Sequence, residues 1–300
     1  MTPADRSAVL HFPDQAEPAG RFAQALGLPC RPIESRRFPD GESLLRLPLP
    51  LPAQMLLYCS LGQPNTRLVE LLLAARTARG HGVQRLSLVA PYLCYMRQDM
   101  AFRPGEAVSQ RVVGHWLAEL FDAVLTVDPH LHRIDRLEQA VPAQLAVALT
   151  AAAPLGAFVA RTVPDAVVVG PDEESAQWAA AVASHAGCGH AVFVKERRGD
   201  RDVVVTAAGA VALAHRPVVL IDDIASSGRT LAEAARICLA MGARSVDAAV
   251  THALCEGDDL RALHEAGVGR LWSTDSLPHA GNRVPLADLL ADGCRAHGLA

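Results

Sequence analysis

Short, almost uninterrupted apolar runs recur along the chain, and each gives way to a polar turn and then to a longer Ala/Leu/Arg segment. The runs Met55–Ser60, Arg85–Ala90, Ala123–Asp128, Ala166–Gly170, Ala191–Lys195, Pro217–Asp222 and Ser245–Thr251 read as strands. Between them, Thr66–Gly80, Ser109–Leu120, Glu174–Ala186 and Thr230–Met241 carry helical spacing. A strand with no polar face must be covered on both sides, and parallel strands need a crossover helix. The alternation therefore predicts an α/β fold of mostly parallel sheets flanked by helices. The pattern occurs twice. The charge-poor, proline-punctuated stretch Gln139–Val163 reads as the junction, dividing the chain into domains 1–145 and 146–300. Sheets of this kind bind ligands beyond the carboxyl ends of their strands, so the residues just after each run carry the functional information.

Composition narrows the partners. With 28 basic against 32 acidic residues and a net charge of −4, the chain lacks the basic excess that binding to nucleic acid or an anionic membrane surface requires. The uncharged stretch Ala140–Ala160 is long enough to span a membrane but is mostly alanine, broken by Pro142, Pro154 and Gly156, and reads as helix and loop. The first residues show no signal-peptide pattern, and the seven cysteines are scattered without a C-x-x-C pair. Reduced thiols in a cytoplasmic protein are expected. Of the 28 basic residues, 27 are arginine and one, Lys195, is lysine. The lone lysine is either chance within a strong compositional bias or the mark of a position where a compact ammonium serves better than a planar guanidinium.

The strongest motif runs from Val218 to Thr230, where a buried strand meets Asp222 and Asp223 and then the small-residue loop Ala225-Ser226-Ser227-Gly228-Arg229-Thr230. Backbone N–H groups and hydroxyls at such a helix start suit a phosphate, and the paired acids suit sugar hydroxyls or a bridging cation. Other segments also join chemistry-bearing residues to strand ends or turns. They are Arg37-Phe38-Pro39-Asp40-Gly41-Glu42, the Arg97-Gln98-Asp99 loop, Asp128-Pro129-His130-Leu131-His132, Gly170-Pro171-Asp172-Glu173-Glu174 and the charged burst Lys195-Glu196-Arg197-Arg198. In an extended chain Asp128, His130 and His132 would share a side and could bind a metal. Each segment alone also has a plain reading: a surface turn, a solvated loop, a helix-start acid or a solvated charge run.

Taken together and in order, these motifs resemble the ribose-phosphate diphosphokinases (phosphoribosyl pyrophosphate synthetases), over roughly residues 30 to 285. The loop at 226–230 by itself is equally similar to that of type I phosphoribosyltransferases, which lack the N-terminal half. The resemblance implies two tandem phosphoribosyltransferase-type (type I) domains, ATP-side first and ribose-5-phosphate-binding second. It implies transfer of the diphosphoryl group of ATP to C1 of ribose 5-phosphate, with Mg2+ and in a homo-oligomer of two or more copies. Carried over residue by residue, Phe38, Asp40 and Glu42 would hold adenine, and Arg97 and Gln98 the phosphates of ATP. His130 and Asp172 would hold the metal. Asp222 and Asp223 would orient the ribose hydroxyls, while Ser226, Ser227, Gly228, Arg229 and Thr230 take the 5-phosphate. Lys195 and Arg197 would be catalytic, closing over the transferring phosphates.

The chain also departs from the common bacterial pattern. Met100–Glu106 replaces an Arg-Lys-x-x-x-Arg-Glu-Pro segment, Ser226-Ser227 stands where Asp-Thr is common, and Asp135-Arg136-Leu137 replaces Gln-Gly-Phe-Phe. Asp292 to Ala300 lacks the aromatic tail that helps form the family's allosteric phosphate/ADP site. These departures bear on regulation and on hexamer form. A non-catalytic regulatory subunit of the family and a phosphoribosyltransferase stay open as alternative functions.

Overall fold

The computed structural model describes residues 7–197, 203–208 and 212–300, with side chains described for 7–194 and 212–300. It divides into two compact units, Met1–Leu149 together with Leu286–Ala300, and Thr150–Pro285.

The first unit runs β1 (Ser7–His11), α1 (Ala16–Leu26), β2 (Cys30–Pro32), β3 (Glu34–Arg37), β4 (Ser43–Arg46), β5 (Gln54–Tyr58), α2 (Pro64–Gly80), β6 (Arg85–Ala90), α3 (Ser109–Leu120), β7 (Ala123–Val127) and β8 (Leu145–Leu149). Six strands form one parallel sheet in the order β2-β1-β5-β6-β7-β8, and β3 and β4 form a separate antiparallel hairpin. Side chains alternate between the faces of the sheet. Ala8, Leu10, Met55, Leu57, Leu86, Leu88 and Val124 bury one face in the core that α2 and α3 complete through Leu71, Ala74, Ala75, Leu117 and Leu120.

The second unit runs α4 (Ala152–Thr162), β9 (Val167–Gly170), α5 (Ala176–Ala186), β10 (Gly189–Arg197), β11 (Val203–Ala208), β12 (Pro217–Ala225), α6 (Arg229–Ala240), β13 (Ser245–Ala253), α7 (Asp258–Glu265), β14 (Val268–Thr274) and β15 (Asn282–Val284). Its sheet has the order β11-β10-β9-β12-β13-β14-β15, parallel except for the β10–β11 pair. Val167, Val169, Val218, Leu220, Ala248 and Val250 pack against Leu231, Ala235 and Leu263 of α6 and α7. On the other face α4 and α5 pack together, and Phe158 of α4 meets Trp272 of β14 edge-on at 5.2 Å.

The units divide at Leu149/Thr150, inside the expected junction Gln139–Val163, which contains β8, the last strand of the first sheet, and α4, the first helix of the second unit. The division differs from the expected one at the C-terminus. Leu286–Ala300 belongs to the first unit, not to the C-terminal one. Its helix α8 (Ala287–Ala296) lies against α1 and contacts β7 and β8. The fit is close, since a Cβ on Gly293 would stand 2.6 Å from Leu149 Cδ1 and 3.3 Å from Leu125 Cδ1. The ends of two expected strands also move: β12 continues through Asp222 and Asp223 to Ala225, and β10 through Lys195 to Arg197.

Leu290 of α8 is 1% exposed, so Leu290→Ala should cost about 2–4 kcal/mol in the first unit. Hydrogen exchange should show amides of β7 and β8 losing protection while those of β12 and β13 keep theirs.

Candidate active site

In the second unit, the chain leaves β9 toward β10 on one side and returns through β12 on the other, so β9 and β12 flank a topological switch point. Loops leaving two such neighbours diverge and open a crevice at their carboxyl ends. Asp172 stands in the loop after β9, and Ser226 to Thr230 stand at the turn after β12. The fold thus brings two of the sequence-selected motifs to the same end of adjacent strands.

The β12–α6 turn is built for close approach. Gly228 takes the N-cap position of α6 in the left-handed region (φ 67°), and no described side chain caps the helix. Its first-turn N–H groups are the orphan donors that attract an anion. Substitution at Gly228 meets two obstacles: the positive φ, and Leu263, whose Cδ1 would lie 2.9 Å from a new Cβ. Ser226 is half-buried, and Ser227, Arg229 and Thr230 are exposed.

Just upstream, Asp223 is 3% exposed, and its backbone N–H donates to Asp222 Oδ1 at 3.0 Å. Burial first, then the neighbouring Asp223 and Asp172, push the Asp222 carboxyl from the ordinary 3.8 up to about 8. Three carboxylates gathered there favour a proton, a cation or hydroxyl donors. Hard oxygen donors of this kind fit Mg2+, which keeps most of its shell in water and phosphate oxygens. Among the described residues no three His, Cys, Asp or Glu side chains converge as a ready-made metal cage. Asp172 also has a local role. Its Oδ1 accepts the Ser175 N–H at 3.1 Å while the Ser175 hydroxyl donates to the Asp172 carbonyl at 2.6 Å, closing the turn into α5.

Lys195 and Arg197 lie in β10, their backbones paired with Val205 and Val203 of β11. Their side chains fall outside the described residues.

In the first unit the switch point lies between β1 and β5, but the protein fills it itself. The buried Gln15 amide donates to the Ser60 carbonyl at 2.9 Å and accepts the Ser60 N–H at 2.7 Å. The selected residues of this unit sit elsewhere, on the β3–β4 hairpin and after β6 and β7. In the hairpin turn, Asp40 Oδ1 accepts the Glu42 N–H at 3.1 Å, with Gly41 at φ 95°. Phe38 is half-buried under the Arg36 guanidinium, 5.0 Å from the ring centre, whereas Asp40 and Glu42 are exposed. Arg97 is exposed, and half-buried Gln98 donates to the Met100 carbonyl at 3.0 Å. The His130 and His132 rings stack at 6.2 Å and 11°. Asp128 does not extend that alternation: it is buried and turns the chain at φ 37°.

Several supporting roles escaped the sequence reading. Glu70 of α2, 6% exposed, accepts the hydroxyls of Ser35 and Ser43 at 3.3 and 3.1 Å and pairs with Arg67 at 2.8 Å, clamping the hairpin. A lone Glu inside Leu68-Val69-Glu70-Leu71-Leu72-Leu73 was the available signal. Asp99, its side chain 4% exposed, takes both contacts from Arg133 Nη1 at 2.7 and 2.9 Å, tying the loop after β6 to the loop after β7. Buried Gln110 donates to the Met96 carbonyl at 3.0 Å and steadies the same loop.

Comparison with known proteins gives a consistent result. Residues 8–120 match the N-terminal domain of ribose phosphate pyrophosphokinase, and residues 156–270 match the phosphoribosyl transferase domain. The chain is 34% identical to the ribose-phosphate pyrophosphokinase of Methanopyrus kandleri, over 91% of this chain and 93% of the relative. It is 32% identical to ribose-phosphate pyrophosphokinase 2 of Archaeoglobus fulgidus, over 91% and 95%. The crystal structure of phosphoribosylpyrophosphate synthetase from Mycobacterium smegmatis shares the fold at a TM-score of 0.79 and 24% identity, over 98% of this chain and 99% of that one.

The raised Asp222 pKa has an inverted consequence for stability. Above the ordinary 3.8 the unfolded chain releases this proton while the folded chain keeps it until about 8, so the ligand-free protein loses stability as pH rises through that window. Asp222→Asn should melt at least about 2 °C above wild type at pH 8. By pH 5, where the folded wild type is also neutral at this position, calorimetry should find the gap closing.

Proposed function

Because the chain belongs to the ribose-phosphate pyrophosphokinase family, as its domain matches and full-length relatives show, we propose that it is an active enzyme transferring the diphosphoryl group of ATP to C1 of ribose 5-phosphate, giving phosphoribosyl diphosphate and AMP. The observation that carries the reading is the β12–α6 turn: an uncapped helix start led by Gly228, with Asp222 and Asp223 immediately before it. That arrangement supports a bound phosphate beside sugar hydroxyls, as ribose 5-phosphate requires. A plain phosphoribosyltransferase is disfavoured, because it has no use for a half that matches residues 8–120.

In this reading Ser226 to Thr230 hold the 5-phosphate, and Asp222 and Asp223 orient the ribose hydroxyls. Phe38, Asp40 and Glu42 form the adenine side, with Arg97 and Gln98 on the phosphates. His130 and Asp172 would each be a metal-binding residue, and Mg2+ when bound would supply charge neutralisation to the diphosphoryl group. The C1 hydroxyl attacks the β-phosphorus, its proton is released, and AMP leaves with the bridging oxygen. Lys195 and Arg197 stabilise the charge that gathers on the transferring group. Phosphoryl transfer asks for positioning and charge neutralisation more than for covalent help from the protein.

The reading extends to a homo-oligomer in the cytoplasm. Exposed Val69 and Leu73 on α2 and exposed Phe102 support self-association, and the seven cysteines, all free, support a reducing compartment. No described helix is long and apolar enough to cross a membrane.

Purified protein with ATP, Mg2+ and ribose 5-phosphate should release AMP only when all three are present, in step with phosphoribosyl diphosphate. ATP binding without AMP would transfer the assignment to a non-catalytic family homologue. Lys195→Ala should lower kcat by about a hundredfold to a thousandfold, and Lys195→Arg should fail to restore it. Near-normal turnover in the arginine variant would remove the case for a point charge at position 195.

A further inference from the structure

The loop between β14 and β15 reaches back toward β13 through one imidazole. Gly281 donates its N–H to His279 Nδ1 at 2.9 Å, which leaves Nε2 as the ring's donor. Nε2 lies 3.1 Å from the Cys255 carbonyl. The ring sits in a loop that is itself braced, for Asn282 donates through Nδ2 to the Leu277 carbonyl at 2.8 Å and takes the Ser273 hydroxyl at 2.9 Å.

Cys255 is where this brace meets the β12–α6 turn. The N–H groups of Leu254 and Cys255 both donate to the Ala225 carbonyl, at 2.9 and 3.1 Å. Ala225 ends β12 and directly precedes Ser226. From Cys255 the chain continues through Glu256 and Gly257 into α7, whose Leu263 closes over Gly228. The segment 254–263 therefore grips the turn at both ends, by a carbonyl at its start and by a side chain at the helix N-cap. His279 is the side chain that holds the beginning of that segment.

We propose that His279 is a positioning residue for the turn Ser226–Thr230. By fixing the Cys255 carbonyl, it holds the N–H pair that orients Ala225, and so sets the aim of the donors that follow. The inference rests on the reading of this turn as the seat of the 5-phosphate of ribose 5-phosphate. His279 touches no substrate in this scheme. Its effect is expected on ribose 5-phosphate, because the segment it anchors is tied to the phosphate turn through Ala225 and Gly228.

Two amide variants separate its two hydrogen bonds. The Gln amide nitrogen reaches the place of Nε2 and can serve Cys255, whereas the Asn amide oxygen stands at the place of Nδ1 and can serve only Gly281. His279→Ala and His279→Asn should weaken ribose 5-phosphate about tenfold, the worth of one well-placed hydrogen bond, in titration calorimetry and in KM. Both should leave the KM for Mg-ATP unchanged and lower the melting temperature by no more than a few degrees, and His279→Gln should restore binding. The proposal is overturned if the alanine variant binds as wild type does, if Asn restores and Gln does not, or if both KM values rise together. Should wild type bind ribose 5-phosphate without making phosphoribosyl diphosphate, the functional reading fails while calorimetry still decides the role of His279. Should wild type not bind ribose 5-phosphate at all, both fail.

Discussion

Strands buried on both faces leave a parallel sheet only its ends for chemistry. Each of the two sheets here is covered by helices on both sides, so the carboxyl ends of the strands are where polar groups can gather without disturbing a core. The second unit uses that freedom fully. Asp172, Asp222, Asp223 and the turn at Gly228 all arise from β9 and β12, the two strands where the chain changes direction. The first unit closes the corresponding crevice with Gln15 and disperses its polar residues over a hairpin and two loops. In the proposed function the same architecture would thus serve two ends, one an anion and a sugar, the other a larger and more spread-out ligand.

The acid cluster shows what such a site costs before anything binds. A carboxyl that keeps its proton to about pH 8 is held in an environment that disfavours its charge, and ligand binding relieves that penalty. In the proposed function, substrate and cation would therefore stabilise the folded state as well as being positioned by it. The supports around the site are of another kind. Glu70 with its two serines, Asp99 with Arg133, and His279 with Cys255 each tie a loop to something distant in sequence. None is itself a ligand contact in the proposed scheme, and each restricts where a ligand contact can be.

That difference explains what was legible in the sequence. Val167 to Gly170 and Val218 to Ile221 announce central strands because a run with no polar face can only be buried, and Ser109–Leu120 is a helix to the residue. The turn after β12 was legible because acids, small residues and a helix start are adjacent along the chain. Peripheral elements were not. Arg36 and Arg37 of β3 are polar and exposed, so nothing in their pattern marks a strand. β8 hides in an alanine-rich stretch that read as junction, helix and loop; the helix and the boundary are there, but the strand was not legible. Asp128, His130 and His132 alternate in sequence, but the positive φ at Asp128 breaks the extended geometry that alternation presupposes. What Glu70, Asp99 and His279 pair with lies in segments far apart along the chain, and that local pattern cannot reveal.

The return of α8 to the first unit has a consequence for the order of assembly. The second unit, Thr150–Pro285, is bracketed by the two pieces of the first, Met1–Leu149 and Leu286–Ala300. During synthesis every residue of the second unit leaves the ribosome before α8 does, although the first unit began to emerge earlier. The unit that starts first therefore finishes last, and it waits with the α1 side of its sheet incompletely covered while its neighbour is made. Domains usually fold in the order in which they emerge; here the nascent chain must keep an unfinished apolar surface from finding the wrong partner until its final helix arrives.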